Sequence, residues 1–453
     1  MQNLIQKYDT PTPRYTSYPT VPFWQKHRFS IKKWQNAIQH TANSLEEVDM
    51  SLYMHLPFCE SLCTYCACNK RITKQHSVEI PYLEAMTKEW KMYQNLIQKK
   101  INLKELHLGG GTPTFFSPQN LYQFLKKILS SVQIDVNTEM SVEVHPSSTT
   151  PYHLEVLANL GFKRISVGVQ DFDPKVQYII NRTQTFTQTQ KVIKDARELG
   201  YNSVNIDIIY GLPLQTKESI ELTMEKVKIL KPDRIAFYSY AHVPWKSAGQ
   251  RRYTEKDLPQ GKEKRNLYEL GKKILLQEGY IEIGFDHFSL PTDELYNAVQ
   301  ENRLHRNFMG YTIQNTNILI GLGASAISDI GNFFAQNEKE VEDYQQSIEQ
   351  QQMPIFQGHQ HSKEDLILRK HILNLMCQGK TSWEQKNHKT KFIKKSIELL
   401  KKLEEDNLVI LDKNSVQVTE IGKPFLRNIC ACFDKYLYEK QNDSLEKQFS
   451  KTA

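Results

Sequence analysis

Three cysteines, Cys59, Cys63 and Cys66, stand as C-x3-C-x2-C in HLPFCESLCTYCAC, directly after the apolar run SLYMHL, which reads as a strand. Thiolates are the protein ligands soft enough for iron–sulfur clusters. A loop this short can wrap three of them round one corner of a cubane and leave one iron of a four-iron cluster open. A zinc site is the other reading, but tetrahedral zinc takes a fourth ligand and usually pairs C-x2-C units across a longer spacer. The chain has seven cysteines, four of them between positions 59 and 68. In a reducing compartment such crowding reads as metal ligation and not as a disulfide framework. A second polar set lies at the ends of further β-rich runs: Glu143 in MSVEV, Gln170 ending RISVGVQ and Asp207 in SVNID, with Arg182 in NRTQ. Taken singly, each is most simply a solvated or capping residue. Their shared position at strand ends makes ligand contact the better joint reading. The run GGGTPT, residues 109–114, follows the strand KELHL. Glycines there let backbone approach a ligand, although a tight turn is the commoner meaning of such a run.

Residues scattered over so many strand ends need a scaffold that gathers those ends. The chain has 453 residues, enough for two or three domains, with the apolar and charged balance of a folded globular protein. Lys plus Arg exceeds Asp plus Glu by only 58 − 51 = 7. A mild excess spread along a long chain suits acidic small ligands as easily as nucleic acid. From about residue 46 to 290, six β-rich runs (SLYMHL, KELHL, MSVEV, RISVGVQ, SVNIDIIY, RIAFYSY) alternate with helical patterns such as 79–98, 118–131 and 188–199. Such alternation predicts an α/β fold with a parallel sheet, curved into a partial (β/α)6-type barrel and not an open dinucleotide fold with one switch point. Residues 1–45 are expected to form an N-terminal arm across the main body and residues 46–355 the catalytic domain. Residues 356–453 form a mostly helical C-terminal domain whose polar tail from about 438 is frayed. LIGLGASAISDIG, residues 319–331, reads as a buried strand and turn against the barrel. No run reaches the length of a membrane span and the first residues lack a signal-peptide pattern, so the expected location is the cytoplasm.

The cysteine spacing, with Tyr65 before the last cysteine, resembles the radical S-adenosylmethionine (SAM) superfamily. Along the rest of the chain PRYTSYPT, LYMHLPFC, the further cysteine of CAC, GGGTPT, GVQDF, NIDIIYGLP, YAHVP, HRNF and RNICACFDKYL occur in an order that resembles the oxygen-independent coproporphyrinogen III oxidases. Many dispersed motifs in one order are far more specific than one cysteine triplet. The resemblance implies a [4Fe–4S] cluster on Cys59, Cys63 and Cys66. Its open iron binds the amino and carboxylate groups of SAM, and one electron cleaves SAM to methionine and a 5′-deoxyadenosyl radical. Cys68 matches a fourth family cysteine that is not counted as a ligand.

By the same resemblance Gly110, Gly111 and Thr112 form the SAM-contacting loop, with Tyr65, Glu143, Gln170, Arg182 and Asp207 as further cofactor contacts. Carboxylates such as Glu143 and Asp207 can accept from ammonium and ribose hydroxyl groups, and Arg182 can hold a carboxylate as a two-point fork. A second SAM is implied beside the first, met by a set that includes Tyr53, Ala241 and Ile327. Tyr53, His55, Glu143 and Phe308 are the implied catalytic residues. The implied activity is oxidative decarboxylation of two propionates of coproporphyrinogen III to vinyl groups, giving protoporphyrinogen IX. It needs an electron donor such as flavodoxin or ferredoxin and an electron acceptor not yet identified. The chain is expected to act as a monomer, without nucleic acid. On the arm, Arg14, Tyr15 and Tyr18 are expected to face the pocket of a substrate bearing four carboxylates. Two departures from the family pattern stand out: His145 replaces Asp, and Met309 replaces Gln. They keep a haem-handling relative, a chaperone or haem-degrading enzyme, as the alternative. A zinc-dependent nucleic-acid-binding protein is a remote one, since no second C-x2-C pair or basic stripe exists.

Overall fold

Runs that are apolar on both sides of the pleat belong in the middle of a sheet covered on both faces, and the six runs take that place in the computed structural model, which describes residues 2–439 and 449–450. They are β1 (Val48–Leu56), β2 (Ile101–Gly110), β3 (Glu139–Val144), β4 (Arg164–Gln170), β5 (Ser203–Tyr210) and β6 (Arg234–Ser239), side by side in chain order and all parallel. Each is followed by a helix: α1 (Glu79–Ile97), α2 (Pro118–Leu129), α3 (Pro151–Asn159), α4 (Phe186–Glu198), α5 (Lys217–Leu230) and α6 (Gly261–Gln277). Four of these helices start at a hydroxyl that caps the free N–H groups: Ser117 accepts from Asn120, and Thr150, Thr185 and Thr216 form capping boxes with His153, Gln188 and Ser219. These caps fix where the loops at the carboxyl ends of β2 to β5 stop; Arg182 lies in one of those loops, and Glu143, Gln170 and Asp207 lie on the strands that lead into them.

The glycine-rich run adds a seventh parallel strand, Ile318–Leu322, on the outer side of β1. Antiparallel strands Ile327–Asp329, Phe333–Asn337 and Ile355–Gln360 extend the sheet beyond it, and His287–Ser289 and Ile281–Ile283 extend it beyond β6. The sheet therefore keeps two edges and does not close into a ring, as expected of a partial barrel. The main sheet runs to Gln360, a few residues past the expected start of the C-terminal unit. In that unit, helices Lys363–Gln378, Ile393–Glu405 and Leu426–Ala431 predominate, beside a three-stranded sheet of Lys380–Ser382, Val409–Leu411 and Ser415–Val418. Strands of three or four residues carry too little alternation to stand out beside long amphipathic helices. Most of the polar tail, residues 440–448 and 451–453, lies outside the described residues.

The arm differs from its expected placement. Tyr15 and Tyr18 are 2% and 1% exposed, and they belong to a second hydrophobic core that the arm shares with Leu368, Ile372, Ile429 and Tyr436. Tyr15 donates to Asp434 Oδ2 at 3.1 Å, and Tyr18 packs on Tyr436. Arg427 bonds to the carbonyls of Thr12 and Pro13. Of the three residues expected to face the pocket, Arg14 alone turns toward the barrel, where Nη2 donates to Ser239 O at the end of β6. Two large aromatic rings gain more by burial against the C-terminal helices than at a wet pocket rim.

One buried carboxylate ties α1 to the seventh strand. Glu89 is fully buried and accepts from Gly323 N–H (2.8 Å), Asn337 Nδ2 (2.7 Å) and Tyr344 O–H (2.6 Å), while Tyr82 donates to His55 O and accepts from Ala324 N–H. The turn at 323–324 is thus pinned to the end of β1. Burial pushes the Glu89 carboxyl up to about 7, although three donors favour its charged form. Its folded-state value lies above the ordinary one. Its stabilising contribution is therefore complete below the ordinary carboxylate value and is lost as pH rises through about 7. Between pH 5 and 8 wild-type stability is expected to fall more steeply than that of Glu89→Gln, by on the order of 1–3 kcal/mol. Denaturant midpoints at each pH measure this, and equal slopes would show that Glu89 does not carry the proton.

Candidate active site

The cysteine loop is clasped at its root. Beyond β1, Phe58 and Cys59 pair in parallel with Arg71 and Ile72, Arg71 N–H donates to Pro57 O, and Thr73 N–H donates to Cys59 O. Between these ends the loop is held by neighbours: Thr64 N–H donates to Ile180 O, Asn181 Nδ2 to Leu62 O, Gln250 Nε2 to Tyr65 O and Ser247 Oγ to Cys66 O. Lys70 Nζ bonds the carbonyls of Cys66 and Cys68. Cys59, Cys63, Cys66 and Cys68 all line one cavity of about 320 Å³ at the carboxyl ends of the strands. Among the described residues no three His, Cys, Asp or Glu side chains close on a point as they would round one metal ion. A cubane places each ligating sulfur on a separate iron, so its thiolates stand farther apart than ligands of one ion, and a soft all-thiolate set in a polar pocket fits a cluster.

The second loop packs against the first chiefly through backbone. Gly111 N–H donates to Leu56 O and Thr112 N–H to Phe58 O, and Thr112 Oγ1 lies 3.3 Å from Cys59 Sγ. A Cβ on Gly111 would stand 2.5 Å from Pro57 O, and one on Gly110, at φ +113°, would stand 2.7 Å from the His55 ring. Neither position has room for a side chain.

Four polar residues expected at the site line the same cavity: Glu143, Gln170, Arg182 and Asp207. Gly110 N–H donates to Glu143 Oε2 (3.2 Å), and Glu143 Oε1 lies 3.2 Å from His107 Nε2. Burial works against the charge of this carboxylate, yet the bonds from His107 and Gly110 outweigh it and hold the group below its usual range. Its side chain is 44% accessible, and that surface faces the cavity. Asp207 accepts from Ser166 Oγ and Asn205 Nδ2, and burial followed by repulsion from Glu143 pushes it up to about 6. Gln170, at φ +67°, turns its amide to Tyr238 O–H. Arg182 donates through Nη2 to Gly168 O and through Nη1 toward Cys63 Sγ at 3.6 Å, while its buried Nε has no partner. A buried guanidinium with a spare donor in an acid-lined, thiol-lined cavity suits an anionic group. The donors and acceptors present therefore fit both a cluster and an amino acid-like ligand.

Tyr65, Gly110, Gly111 and Thr112 also reach this cavity. Tyr53 and His55 stand just behind its wall: Tyr53 O–H bonds His55 Nδ1 at 3.0 Å, and burial holds His55 neutral. Ala241 lines a neighbouring cavity of about 520 Å³, between the arm and the start of α6. Ile327 sits in the antiparallel ladder opposite Gln336, and Phe308 packs edge-on against Phe334 at the tip of the hairpin that holds Met309. Neither lines the cavity. His145 does, and burial with the Arg182 charge beside it lowers the imidazole to about 3, so this departure puts a neutral group there. His107, Ser166 and Tyr238 escaped the sequence reading. Ser166 stands four residues before Gln170 on one strand, and that even spacing was the signal for it; His107 and Tyr238, inside apolar strands, carry none. Replacement of Gly111 by Ala is expected to destabilise the protein by about 1–3 kcal/mol, because the clash is with backbone. Reconstituted iron should fall with it, and Gly161→Ala, which meets nothing closer than 3.7 Å though at positive φ, should retain iron. Thermal melts and iron assays check both. Full iron loading in Gly111→Ala would show that the backbone approach is not required.

The sequence profile of the radical SAM superfamily matches residues 53–227, the segment from β1 through most of α5. That superfamily works with a [4Fe–4S] cluster and SAM. The oxygen-independent coproporphyrinogen III oxidase of Escherichia coli strain K12 is 39% identical over 442 residues, covering 96% of this chain and 95% of that protein. The enzyme of the same name from Helicobacter pylori strain 26695 is 36% identical over 456 residues, covering 99% and 98%. The solved structure of the Escherichia coli coproporphyrinogen III oxidase, described as a radical SAM enzyme, superposes with a TM-score of 0.88 at 37% identity over 96% of this chain and 98% of that one. Likeness of this extent covers the arm and the C-terminal unit as well as the sheet, and it favours the oxidase over a haem-handling relative. The chain belongs to the oxygen-independent coproporphyrinogen III oxidase family of the radical SAM superfamily.

Proposed function

We propose that the protein converts coproporphyrinogen III to protoporphyrinogen IX, consuming two SAM molecules as two propionates become vinyl groups. The observation that carries this reading is the full-length likeness to the oxidases together with one cavity that joins the cysteine loop to Glu143, Gln170, Arg182 and Asp207. The chemistry that a bound cluster and SAM supply is abstraction of a hydrogen atom from each propionate, with loss of CO2 and transfer of the remaining electron to an acceptor. Cys59, Cys63 and Cys66 hold the cluster, and Cys68, beside Cys66, is not a ligand. The Gly110–Gly111 backbone and Thr112 bring the second loop within reach of SAM. Glu143 accepts from its amino group, Asp207 accepts from a ribose hydroxyl, and Arg182 pairs with a carboxylate. Gln170 and Tyr65 line the same binding space, and Tyr53, Ala241 and Ile327 belong to the contacts of the second SAM. Tyr53 and His55 form a neutral hydrogen-bonded pair behind the site, and Phe308 serves the substrate side. The walls of the cavity exclude water from the reacting groups. A flavodoxin or ferredoxin supplies the electron, the acceptor being a separate molecule, and the enzyme works as a monomer in the cytoplasm. The described residues contain no helix long and apolar enough to cross a membrane.

Ser in place of any one of Cys59, Cys63 or Cys66 is expected to lose cluster and turnover together, because a hard oxygen substitutes poorly for a thiolate. Cys68→Ser should keep about four irons per chain. Asp207→Ala and Arg182→Ala should keep wild-type iron and lose SAM binding or cleavage, with a thermal melt to separate unfolding from a site effect. Iron and sulfide assays, followed by anaerobic incubation with SAM, reductant and coproporphyrinogen III, test the whole reading. Stoichiometric zinc without sulfide would overturn it, and so would a SAM-dependent product other than the divinyl porphyrinogen.

A further inference from the structure

His107 lies on β2, two residues before the glycine run, directly opposite Tyr53 in the β1–β2 register. The two rings stack at 5.9 Å with planes 17° apart, which fixes the imidazole plane. Both ring nitrogens face single partners on β3. Nδ1 lies 2.7 Å from Ser141 Oγ, and Nε2 lies 3.2 Å from Glu143 Oε1. Ser141 and Glu143 are two residues apart on one strand and so share a face. An ionised carboxylate only accepts, so the proton sits on Nε2. In the ring that carries one proton Nδ1 is then the acceptor, and the serine hydroxyl, which can donate or accept, donates to it. The tautomer follows from the partners on either side of the ring. The second oxygen of Glu143 accepts from Gly110 N–H. Each carboxylate oxygen thus has one fixed donor, and its remaining lone pairs face the cavity.

We propose that His107 is a positioning residue for SAM: through its Nε2–H it holds Glu143 in the orientation that receives the amino group. This rests on the reading of Glu143 given above. The Tyr53 stack fixes the ring plane and with it the direction of the bond to Glu143, which a flexible lysine or arginine side chain would leave free to swing. The stack also joins two loops. Tyr53 O–H donates to His55 Nδ1, and His55 Nε2–H donates at 2.9 Å to the carbonyl of Asn69, where the chain leaves the cysteine loop. One continuous set of rings therefore connects the exit of the cysteine loop to the carboxylate that faces it across the cavity.

The test uses cluster-reconstituted protein and equilibrium dialysis of SAM without reductant, so that binding is read apart from turnover. His107→Gln keeps a donor near the place of Nε2, whereas His107→Asn directs its amide to the place of Nδ1 and leaves Glu143 without one. We expect His107→Asn and His107→Ala to raise the Kd for SAM by about 10–100-fold at wild-type iron content, and His107→Gln to stay within about threefold of wild type. Ring-nitrogen NMR of the unloaded wild-type protein should show His107 as the Nε2–H tautomer. Wild-type affinity in His107→Asn, failure of His107→Gln to restore it, or an Nδ1–H tautomer would overturn the proposal. Glu143→Ala, measured alongside, separates the two levels. Normal SAM binding by that variant removes the reading of Glu143 and this inference with it. Weak binding there with normal binding in His107→Asn removes the role of His107 alone.

Discussion

The site depends on one backbone approach, that of Gly111 to Pro57 and Phe58. Two parallel strands leave the sheet side by side, and the chain after each would ordinarily diverge, carrying its side chains away from its neighbour's. Here Gly111 N–H reaches Leu56 O and Thr112 N–H reaches Phe58 O, so the β1–β2 pairing continues past the strand ends into both loops. Cys59 and the glycine run are held in contact as a result. The separation is set by main-chain atoms, which cannot yield as a side chain would, and the place admits no Cβ.

Around that contact the fold gathers groups that resist burial. Asp207 is pushed upward by burial and by Glu143, and Arg182 keeps its charge because Tyr65 and Cys63 beside it outweigh the burial that opposes it. Costs of this kind are ordinarily met by pairing each charge with its opposite. This cavity instead spaces carboxylates, a guanidinium and thiols round an open volume, and its charges are partnered by hydroxyls, amides and carbonyls. Such a site is less stable than an apolar one of equal size would be, and it holds unused hydrogen-bonding capacity for a zwitterionic ligand.

Much of this was legible because two strong signals coincide. Buried parallel strands are continuous apolar runs, and amphipathic helical patterns separate them, so the six strand-to-helix repeats stood out. Cys59, Cys63 and Cys66 declared themselves by spacing, and Glu143, Gln170 and Asp207 by standing as polar residues in the later part of apolar strand runs. His107 did not, since a histidine inside an apolar strand reads as core until the partner opposite it is known. The short strands on either side of the parallel sheet are set by pairing with neighbours distant in the chain, a constraint that local pattern does not carry. The arm was misplaced for a related reason: its aromatic residues suit a pocket rim or a core equally well, and only the position of the C-terminal helices decides between them.

The second core has a consequence for how the chain comes to be folded. The Tyr15–Asp434 bond closes a span of 419 residues, and Ile5, Tyr18 and Phe23 of the arm belong to the same second core. During synthesis Tyr15 and Tyr18 are made early, yet their partners in the second core, residues 368–436, are made about 350 residues later. The two tyrosines stay solvent-exposed while the parallel sheet, built from neighbours in sequence, assembles ahead of them. Docking of the two chain ends is therefore a late event. The cavity that holds Ala241 is closed only once the arm has docked, because Asp9 and Pro11 form part of its wall.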